Sequence, residues 1–236
     1  DSYVLPGSPG FMLVSTSPPG GPVSNPQRLF LATSDDGIDW VSGGAPLLDR
    51  SPRNALDPTA ILLEAGKWRV YYTLTDGPQP FSGFRIASAI LTGPESYEPE
   101  PTLSAPVTSK PQSTELTSQT PSCEENRYTF TDLGVALTAQ DAGNSNPMAP
   151  MANPSSLLLN DGRVRMFFTN AGAGIGSAIS VDAMVFDYEG IRISGPEAMQ
   201  QGVNLGPLRV YRLPDGRVRL FVGSSQTGVQ SFVSSD

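Results

Sequence analysis

Aspartate and glutamate are the residues of this chain best suited to acid–base chemistry, because the 236-residue sequence contains no histidine. Without histidine, Ser-His-Asp and Cys-His catalysis are excluded, and the commonest protein ligand of transition metals is missing. The single cysteine, Cys123, cannot form an internal disulfide and has no histidine to activate it, so we interpret it as an unreactive thiol. Acid–base chemistry would therefore depend on Asp, Glu, Tyr or Lys.

An internal repeat places Asp1 and Asp57 at equivalent positions. Asp57 begins DPTAILLEAGKWRVYYT, and Asn153 begins the similar stretch NPSSLLLNDGRVRMFFT. Each lies nine residues before a glycine, as Asp1 lies nine residues before Gly10 in DSYVLPGSPGFMLVST. A fourth copy, GPLRVYRLPDGRVRLFVG, is one residue longer and begins at Gly206. Self-similarity of this kind indicates a repeat architecture, with Asp, Asp, Asn and Gly at one recurring place.

Each copy has the pattern of a β-hairpin that is extended by further strands. An apolar strand meets a glycine turn, and the return strand alternates, with Val164, Met166 and Phe168 on one face. A third strand and then an outer strand are predicted to follow. The predicted outer strands are Trp40–Leu48, Phe130–Leu137 and, as a weaker match, 190–199.

Two further features recur with the hairpins. Arg69, Arg165 and Arg219 each follow the turn glycine by three residues, and this recurrence predicts a structural role in packing and ion pairing within each blade. The stretch ATSDDGIDW is predicted to form the turn between a third and an outer strand, and Trp40 is predicted to fold its ring back into the blade.

The aspartates of that turn could bind a metal ion. Asp35, Asp36 and Asp39 are close in sequence, and hard oxygen ligands suit Ca²⁺. Their spacing does not match an EF-hand, so we favour a solvated turn. No cofactor is predicted, with Ca²⁺ kept as the alternative.

Four antiparallel strands per repeat predict an all-β fold, a β-propeller, as a single domain over residues 1–236. The second and third copies are separated by a Pro-, Ser- and Thr-rich stretch at about 92–122, which we interpret as an insertion. The chain ends on FVSSD, at the turn before an outer strand. That outer strand would come either from the other end of the chain, as ring closure requires, or from a longer protein. We favour the second, a truncated ring with further chain or domains beyond Asp236.

Composition limits the partners. The formal net charge of −8 and a pI of about 4.5 argue against binding nucleic acid. No apolar run approaches the ~18 residues of a transmembrane helix, so no membrane insertion is predicted. Lysine occurs only at 67 and 110, and this acidic, lysine-poor composition predicts a secreted or cell-surface bacterial protein.

The repeats resemble the blades of the five-bladed β-propeller furanosidase superfamily. That superfamily includes arabinanases, β-xylosidases, invertases and levansucrases, with the related mannoside phosphorylases. DPTAILLEAGKWRVYYT and ATSDDGIDW carry most of the resemblance. It implies a five-bladed propeller, of which four blade repeats are visible, with the first residues of the inner strands around a central funnel.

The resemblance also implies roles for the recurring position. Asp1 matches the catalytic base or nucleophile, and Asp57 matches the aspartate that fixes the sugar and tunes the acid. The third position, that of the general acid, is Asn153, which cannot donate a proton as a carboxylic acid does, so we predict it to bind substrate. Alternative acids lie elsewhere in the chain: Glu115, Glu124, Glu125 and Asp141.

Two hypotheses for function follow. The first is a glycoside hydrolase-like propeller that acts on a furanoside or related glycan through paired carboxylates, with carbohydrate as its partner. The second is a non-catalytic propeller module that binds a glycan or a protein at the cell surface. Trp68 is interpreted either as a core residue or as a platform on which a sugar stacks.

Overall fold

The fold is seen in a computed structural model. It describes residues 2–7, 10–16, 26–34, 36–42, 44–77, 82–93, 128–147, 149–170, 173–195, 206–224 and 228–234. The elements named over these residues are all β-strands. Among the described residues there is no helix that is long and apolar enough to span a membrane.

The strands form four antiparallel sheets in chain order. The first holds β1 (Ser2–Val4), β2 (Phe11–Thr16), β3 (Arg28–Thr33) and β4 (Val41–Ser42). The second holds β5 (Ala55–Glu64), β6 (Lys67–Leu74), β7 (Arg85–Thr92) and β8 (Thr129–Leu137). The third holds β9 (Met151–Leu158), β10 (Val164–Asn170), β11 (Gly174–Ser180) and β12 (Asp187–Ser194). The fourth holds β13 (Leu208–Arg212), β14 (Val218–Ser224) and β15 (Gly228–Val233).

This arrangement confirms the predicted all-β propeller with four blades, and a fifth blade stays a prediction. Buried side chains form three clusters between successive sheets. Val164, Met166 and Phe168 lie in the cluster shared with the second sheet, whereas Phe167 packs on the cluster shared with the fourth. The alternation predicted for β10 is therefore confirmed, because successive side chains of a strand point to opposite faces.

The recurrent arginines differ from one blade to the next. Arg165 donates from Nε and Nη2 to the two carboxylate oxygens of Glu189, at 2.9 and 2.8 Å. Ser177 also donates to Glu189, at 2.8 Å. This is the ion pairing within a blade that the sequence predicted, in the bidentate geometry that favours arginine.

The equivalent arginine of the second sheet is buried without such a partner. Arg69 is 7% exposed, and within the described residues its Nε and Nη1 make no hydrogen bond and its guanidinium no ion pair. Arg219 likewise has a buried Nε without a partner over those residues. The prediction of ion pairing is confirmed for Arg165, and for Arg69 and Arg219 it stays a prediction, since the described residues show no ion pair for either.

The predicted turn after the third strand is confirmed between β3 and β4. The Asp36 carboxylate accepts the N–H groups of Ile38 and Asp39, at 2.8 and 2.9 Å, and Trp40 Nε1 donates to the Gly37 carbonyl at 3.2 Å. The Trp40 ring thus folds back onto the turn. The outer strand β4 is only two residues long, shorter than predicted.

Some predictions fall on residues outside the described ranges. The insertion predicted at about 92–122 coincides almost entirely with 94–127. Cys123 and the candidate acids Glu115, Glu124 and Glu125 lie there too, and Asp1 is also outside the described residues. These predictions stay as predictions.

Candidate funnel site

The inner strands β1, β5, β9 and β13 are joined by hydrogen bonds from one sheet to the next. Ser156 N–H donates to Thr59 Oγ1 at 3.2 Å, which links β9 to β5. Val210 N–H donates to Ser155 Oγ at 3.0 Å, which links β13 to β9. Tyr3 donates its hydroxyl to a β5 carbonyl at 3.0 Å, which links β1 to β5.

Arg209 adds a link between β13 and β1. Its Nη2 donates to the Ser2 carbonyl at 2.6 Å, and its guanidinium lies 5.5 Å from the centroid of the Tyr3 ring. Arg209 lies opposite Phe221 in the register of β13 and β14, as Ser155 lies opposite Phe167 in the register of β9 and β10. Arg209 therefore occupies the position on β13 that the linking residue Ser155 occupies on β9. The longer side chain reaches a strand that serine would not.

Asp57 and Asn153 lie at the same irregularity of neighbouring inner strands. The pairing of β5 with β6 shifts register between Leu56 and Thr59, and the pairing of β9 with β10 shifts at the matching place. Asp57 and Asn153 have φ of 51° and 53° there. Asp and Asn tolerate this left-handed conformation better than other residues with a β-carbon, which accounts for the residue types at both bulges.

The fourth sheet does not repeat this bulge. The register of β13 and β14 runs without a shift from Leu208 to Arg212, and Gly223 N–H donates to the Pro207 carbonyl at 3.0 Å. Gly206 therefore precedes a regular strand. The fourth copy, which is one residue longer, forms a hairpin without a bulge. The equivalence of Gly206 with Asp57 and Asn153 holds in the sequence but not in backbone geometry.

The Asp57 carboxyl is almost fully buried, with 8% of the residue exposed. Burial raises the pKa of Asp57 above its ordinary value of 3.8, because a buried carboxylate loses hydration. The Thr73 hydroxyl, the positive charge of Arg209 and the Asn153 N–H act in the opposite direction. The buried acid thus has polar partners on β6, β9 and β13.

The Asn153 side chain is held as a hydrogen-bond donor. Its Nδ2 donates to Thr169 Oγ1 at 3.3 Å, and Thr169 donates its own hydroxyl proton to the Ala152 carbonyl at 2.9 Å. The backbone N–H of Asn153 donates to Thr73 Oγ1 at 3.0 Å. Since Thr169 presents a lone pair to position 153, the surroundings fit an amide and do not fit an ionised carboxylate.

Trp68 and the candidate acid Asp141 are both held by contacts within the fold, and the role of Asp141 as an acid stays a prediction. Trp68 is 2% exposed within the core cluster between the first two sheets, and its indole N–H donates to the Pro6 carbonyl at 2.9 Å. The core interpretation of Trp68 fits this placement, whereas stacking on a sugar does not, because no ring face is free. Asp141 Oδ2 accepts the N–H and hydroxyl of Thr138, at 2.9 and 2.6 Å, and so stabilises a turn.

The acidic turn after β3 is the place where a metal was considered from the sequence. Over the described residues, no three His, Cys, Asp or Glu side chains lie close enough together to share a metal ion. The Asp36 Oδ1 is engaged by backbone N–H groups, as given above, and Asp35 lies outside the described residues. Ca²⁺ binding at this turn stays a hypothesis.

Sequence reasoning missed the two threonines that hydrogen-bond Asn153. A signal was available, because DPTAILLEAGKWRVYYT and NPSSLLLNDGRVRMFFT both end on this residue, as Thr73 and Thr169. Arg209 gave no such signal, since its role depends on β13 lying beside β1 in space. It was therefore not predictable from the repeat.

No family model and no curated protein sequence matches the chain. Solved structures do. A thermostable family-43 glycoside hydrolase is 15% identical, with a TM-score of 0.56 over 98% of this chain and 69% of that one. The GH43_1 enzyme from Xanthomonas citri, complexed with xylotriose, is 12% identical, with a TM-score of 0.56 over 100% and 69%. Zg3597, a family 117 glycoside hydrolase from Zobellia galactanivorans, is 16% identical, with a TM-score of 0.58 over 89% and 53%.

These similarities concern the fold, because the identities are low, and this chain spans from about half to about two thirds of the length of these structures. They agree with the four antiparallel blades and with the resemblance seen in the repeats. The chain therefore has the propeller fold of glycoside hydrolases such as those of families 43 and 117.

Proposed function

We propose that the protein is a glycoside hydrolase-like propeller that takes a furanoside or a related glycan into its central funnel. The observation that carries this proposal is the pair of bulges on neighbouring inner strands. They hold a buried carboxyl at Asp57 beside an amide at Asn153. The similarity of the fold to glycoside hydrolases supports it. The acidic composition supports a secreted or cell-surface location as part of the same proposal.

Hydrolysis of a glycoside requires two carboxyl groups on opposite sides of the scissile bond. They stand roughly 5–5.5 Å apart in retaining enzymes and roughly 6.5–9.5 Å apart in inverting ones. Asp57 supplies one carboxyl group, and Asp1, at the matching position of the first repeat, is the candidate for the second. In this proposal Asn153 orients the sugar through hydrogen bonds, since an amide donates and accepts but does not protonate a leaving group.

A second function, a non-catalytic module that binds a glycan, is favoured by one observation. Asn153 donates its amide to Thr169, so the third blade holds an amide at the place where the resemblance implies a general acid. This alternative uses the same funnel and the same carbohydrate class. It differs in requiring no second carboxyl group.

The experiment is hydrolysis of a panel of aryl furanosides, aryl pyranosides and plant or fungal oligosaccharides, with binding measured by calorimetry on the same panel. The variants are Asp57→Asn and Asp1→Asn, with Asp187→Asn on the exposed outer strand as the matched control. Turnover that is lost in both funnel variants and kept in the control supports the hydrolase. Binding without turnover supports the module. Neither binding nor turnover by folded protein contradicts both.

A further inference from the structure

Arg69 lies where the second and third sheets pack together. On β6 it stands opposite Ile61 of β5, which belongs to the core cluster that these two sheets share. Tyr71 lies two residues further along the same face of β6 and donates its hydroxyl to the Ala183 carbonyl of the third blade, at 2.8 Å. The Arg69 side chain is therefore directed into the interface between the two sheets.

The guanidinium of Arg69 is buried with donors that find no acceptor. Its Nε and Nη1 are enclosed, and no group in the described part of the chain accepts a hydrogen bond from either. Arginine keeps its charge in proteins, and a buried charge is costly unless it is paired and hydrogen-bonded. A buried positive charge with unused N–H donors on two nitrogens is complementary to an anion.

The third blade shows how such a guanidinium is neutralised. Arg165, at the equivalent place on β10, donates from Nε and Nη2 to the carboxylate of Glu189, and Ser177 donates its hydroxyl to the same carboxylate. By the register of the strands, Ser88 on β7 stands where Ser177 stands on β11, and both serines are buried. The second blade therefore keeps the arginine and the serine, and it has a leucine, Leu133, in place of the glutamate.

The place that the carboxylate takes in the third blade borders solvent. The Glu189 side chain is 16% exposed, and Leu133 at the matching place is more exposed still. A small ion can therefore reach this place from solution without opening the core. A bulky ion cannot, because the Arg69 guanidinium itself is almost wholly enclosed.

We propose that Arg69 binds a small monovalent anion from solution, such as chloride or formate, at the place that the Glu189 carboxylate takes in the third blade. The ion accepts a hydrogen bond from Nε of Arg69, and Ser88 is placed to donate a second one, as Ser177 does to Glu189. This pairing stabilises the interface between the second and third sheets. It involves no funnel residue and does not rest on the proposed function.

The first test measures the Tm of the unaltered protein by calorimetry as sodium chloride is raised, with sodium gluconate at equal ionic strength as the bulky comparison. A ligand that binds only the folded state stabilises it by mass action. We expect the Tm to be about 3–6 °C higher in chloride than in gluconate once chloride exceeds its dissociation constant about tenfold. Equal melting curves in the two salts would overturn the proposal.

The second test compares variants in the same two salts. Arg69→Met removes the donors, and Leu133→Glu supplies a carboxylate that competes with the ion, so both should lose the difference between chloride and gluconate. Arg163→Met is the matched control, because Arg163 is exposed and paired with Asp161, and it should keep the difference. A chloride effect that persists in either folded site variant contradicts the proposal. If Arg69→Met does not fold, Leu133→Glu and the unaltered protein decide.

The third test locates the ion. Crystals of the unaltered protein soaked in sodium bromide should show an anomalous-scattering peak within hydrogen-bonding distance of Arg69 Nε. This peak should be absent from crystals of Leu133→Glu treated in the same way. Peaks confined to exposed side chains would mean adventitious binding only and would overturn the proposal.

Discussion

Asp57 and Asn153 share one backbone conformation but differ in side-chain chemistry. Both lie in left-handed bulges of neighbouring inner strands, with φ of 51° and 53°. Asp57 is a buried carboxyl whose pKa is raised by that burial, whereas Asn153 donates its amide to Thr169. The repeat therefore keeps one backbone geometry for a carboxyl in the second blade and an amide in the third.

Asp57→Asn should stabilise the protein near neutral pH. The folded-state pKa of Asp57 is raised, so the folded protein holds this proton more tightly than the unfolded chain does. The associated stability is present below the ordinary pKa of 3.8 and is lost as pH rises through the folded-state value. Asparagine has no charge to lose, and it suits the left-handed backbone, as Asn153 shows.

The measurement is Tm of both proteins by calorimetry from pH 3.5 to pH 8. The variant should match the unaltered protein at the acid end and exceed it near pH 7, by about 2–4 °C for each kcal/mol recovered. Asp57→Ala separates the two effects, because alanine pays about 1–2 kcal/mol for a left-handed backbone at every pH. A gap between Asp57→Asn and the unaltered protein that is constant with pH would contradict the assignment.

Much of this architecture was predictable from the sequence because each repeat contains the same alternation of apolar residues and the same glycine turn. The alternation of Val164, Met166 and Phe168 predicted that these three side chains share one face of β10, and the turn glycines located the hairpins. The chemistry of the site was only partly predictable. Asp57 and Asn153 were located by their place in the repeat, but their burial and partners depend on contacts between sheets.

Arg69 shows the limit of the repeat as a guide. Its equivalent Arg165 pairs with Glu189, and the sequence pattern predicted the same role for both arginines. The partner lies on the outer strand, where the repeats diverge, and Leu133 takes the place of the glutamate in the second sheet. The arginine strands β6 and β10 have similar sequences, whereas the outer strands β8 and β12 do not. An ion pair between the two kinds of strand therefore cannot be inferred from the similar strands alone.

Asn153→Asp should destabilise the protein at neutral pH. An ionised carboxylate would face the lone pair of Thr169, whose proton is given to the Ala152 carbonyl. We expect a cost of about 1–3 kcal/mol at pH 7, as for a buried polar group that loses its partner. Protonation at low pH restores a donor, so this variant should regain stability as pH falls.

Urea unfolding at pH 4 and pH 7 measures both effects. Asn153→Gly is the control, because glycine keeps the left-handed backbone without the amide and should show no comparable pH dependence. If Asn153→Asp is as stable as the unaltered protein at pH 7, then Thr169 can reverse its proton, and position 153 is not restricted to an amide.

Glu189→Gln should remove stability that depends on an ionised carboxylate. Burial alone would raise the pKa of Glu189, but hydrogen bonds from Arg165 and Ser177 and the charges of Arg165 and Arg192 outweigh it, so the pKa is lowered. The stability from this group is present above the ordinary value of 4.5 and is lost as pH falls through the folded-state pKa.

We expect Glu189→Gln to lower the free energy of unfolding by about 1–2 kcal/mol at pH 7, with the difference shrinking toward pH 3. Urea unfolding at several pH values measures it. Asp187→Asn, two residues earlier on the same exposed outer strand, should change little. An equal loss in Glu189→Gln and Asp187→Asn would mean that the network around Arg165 adds no specific stability.

Leu133→Glu should supply Arg69 with the carboxylate partner that is absent among the described residues. Leu133 and Glu189 lie at the same register shift of equivalent outer strands, and Arg69 pairs with β7 as Arg165 pairs with β11. Leu133 is 41% exposed, so glutamate and glutamine at this position give up the same part of its apolar burial. A carboxylate there should hydrogen-bond the guanidinium of Arg69 and make Leu133→Glu more stable than Leu133→Gln by about 1–2 kcal/mol, because a buried charge is costly unless it is paired.

The measurement is the Tm and the urea midpoint of Leu133→Glu beside Leu133→Gln, which has the same shape without the charge. We expect the glutamate variant to exceed the glutamine variant near neutral pH, and the advantage to fade as the new carboxylate is protonated at low pH. A double variant, Leu133→Glu with Arg69→Met, should lose the gain, since the pair is then broken. Equal stability of the glutamate and glutamine variants would show that the Arg69 guanidinium does not reach the outer strand as Arg165 does.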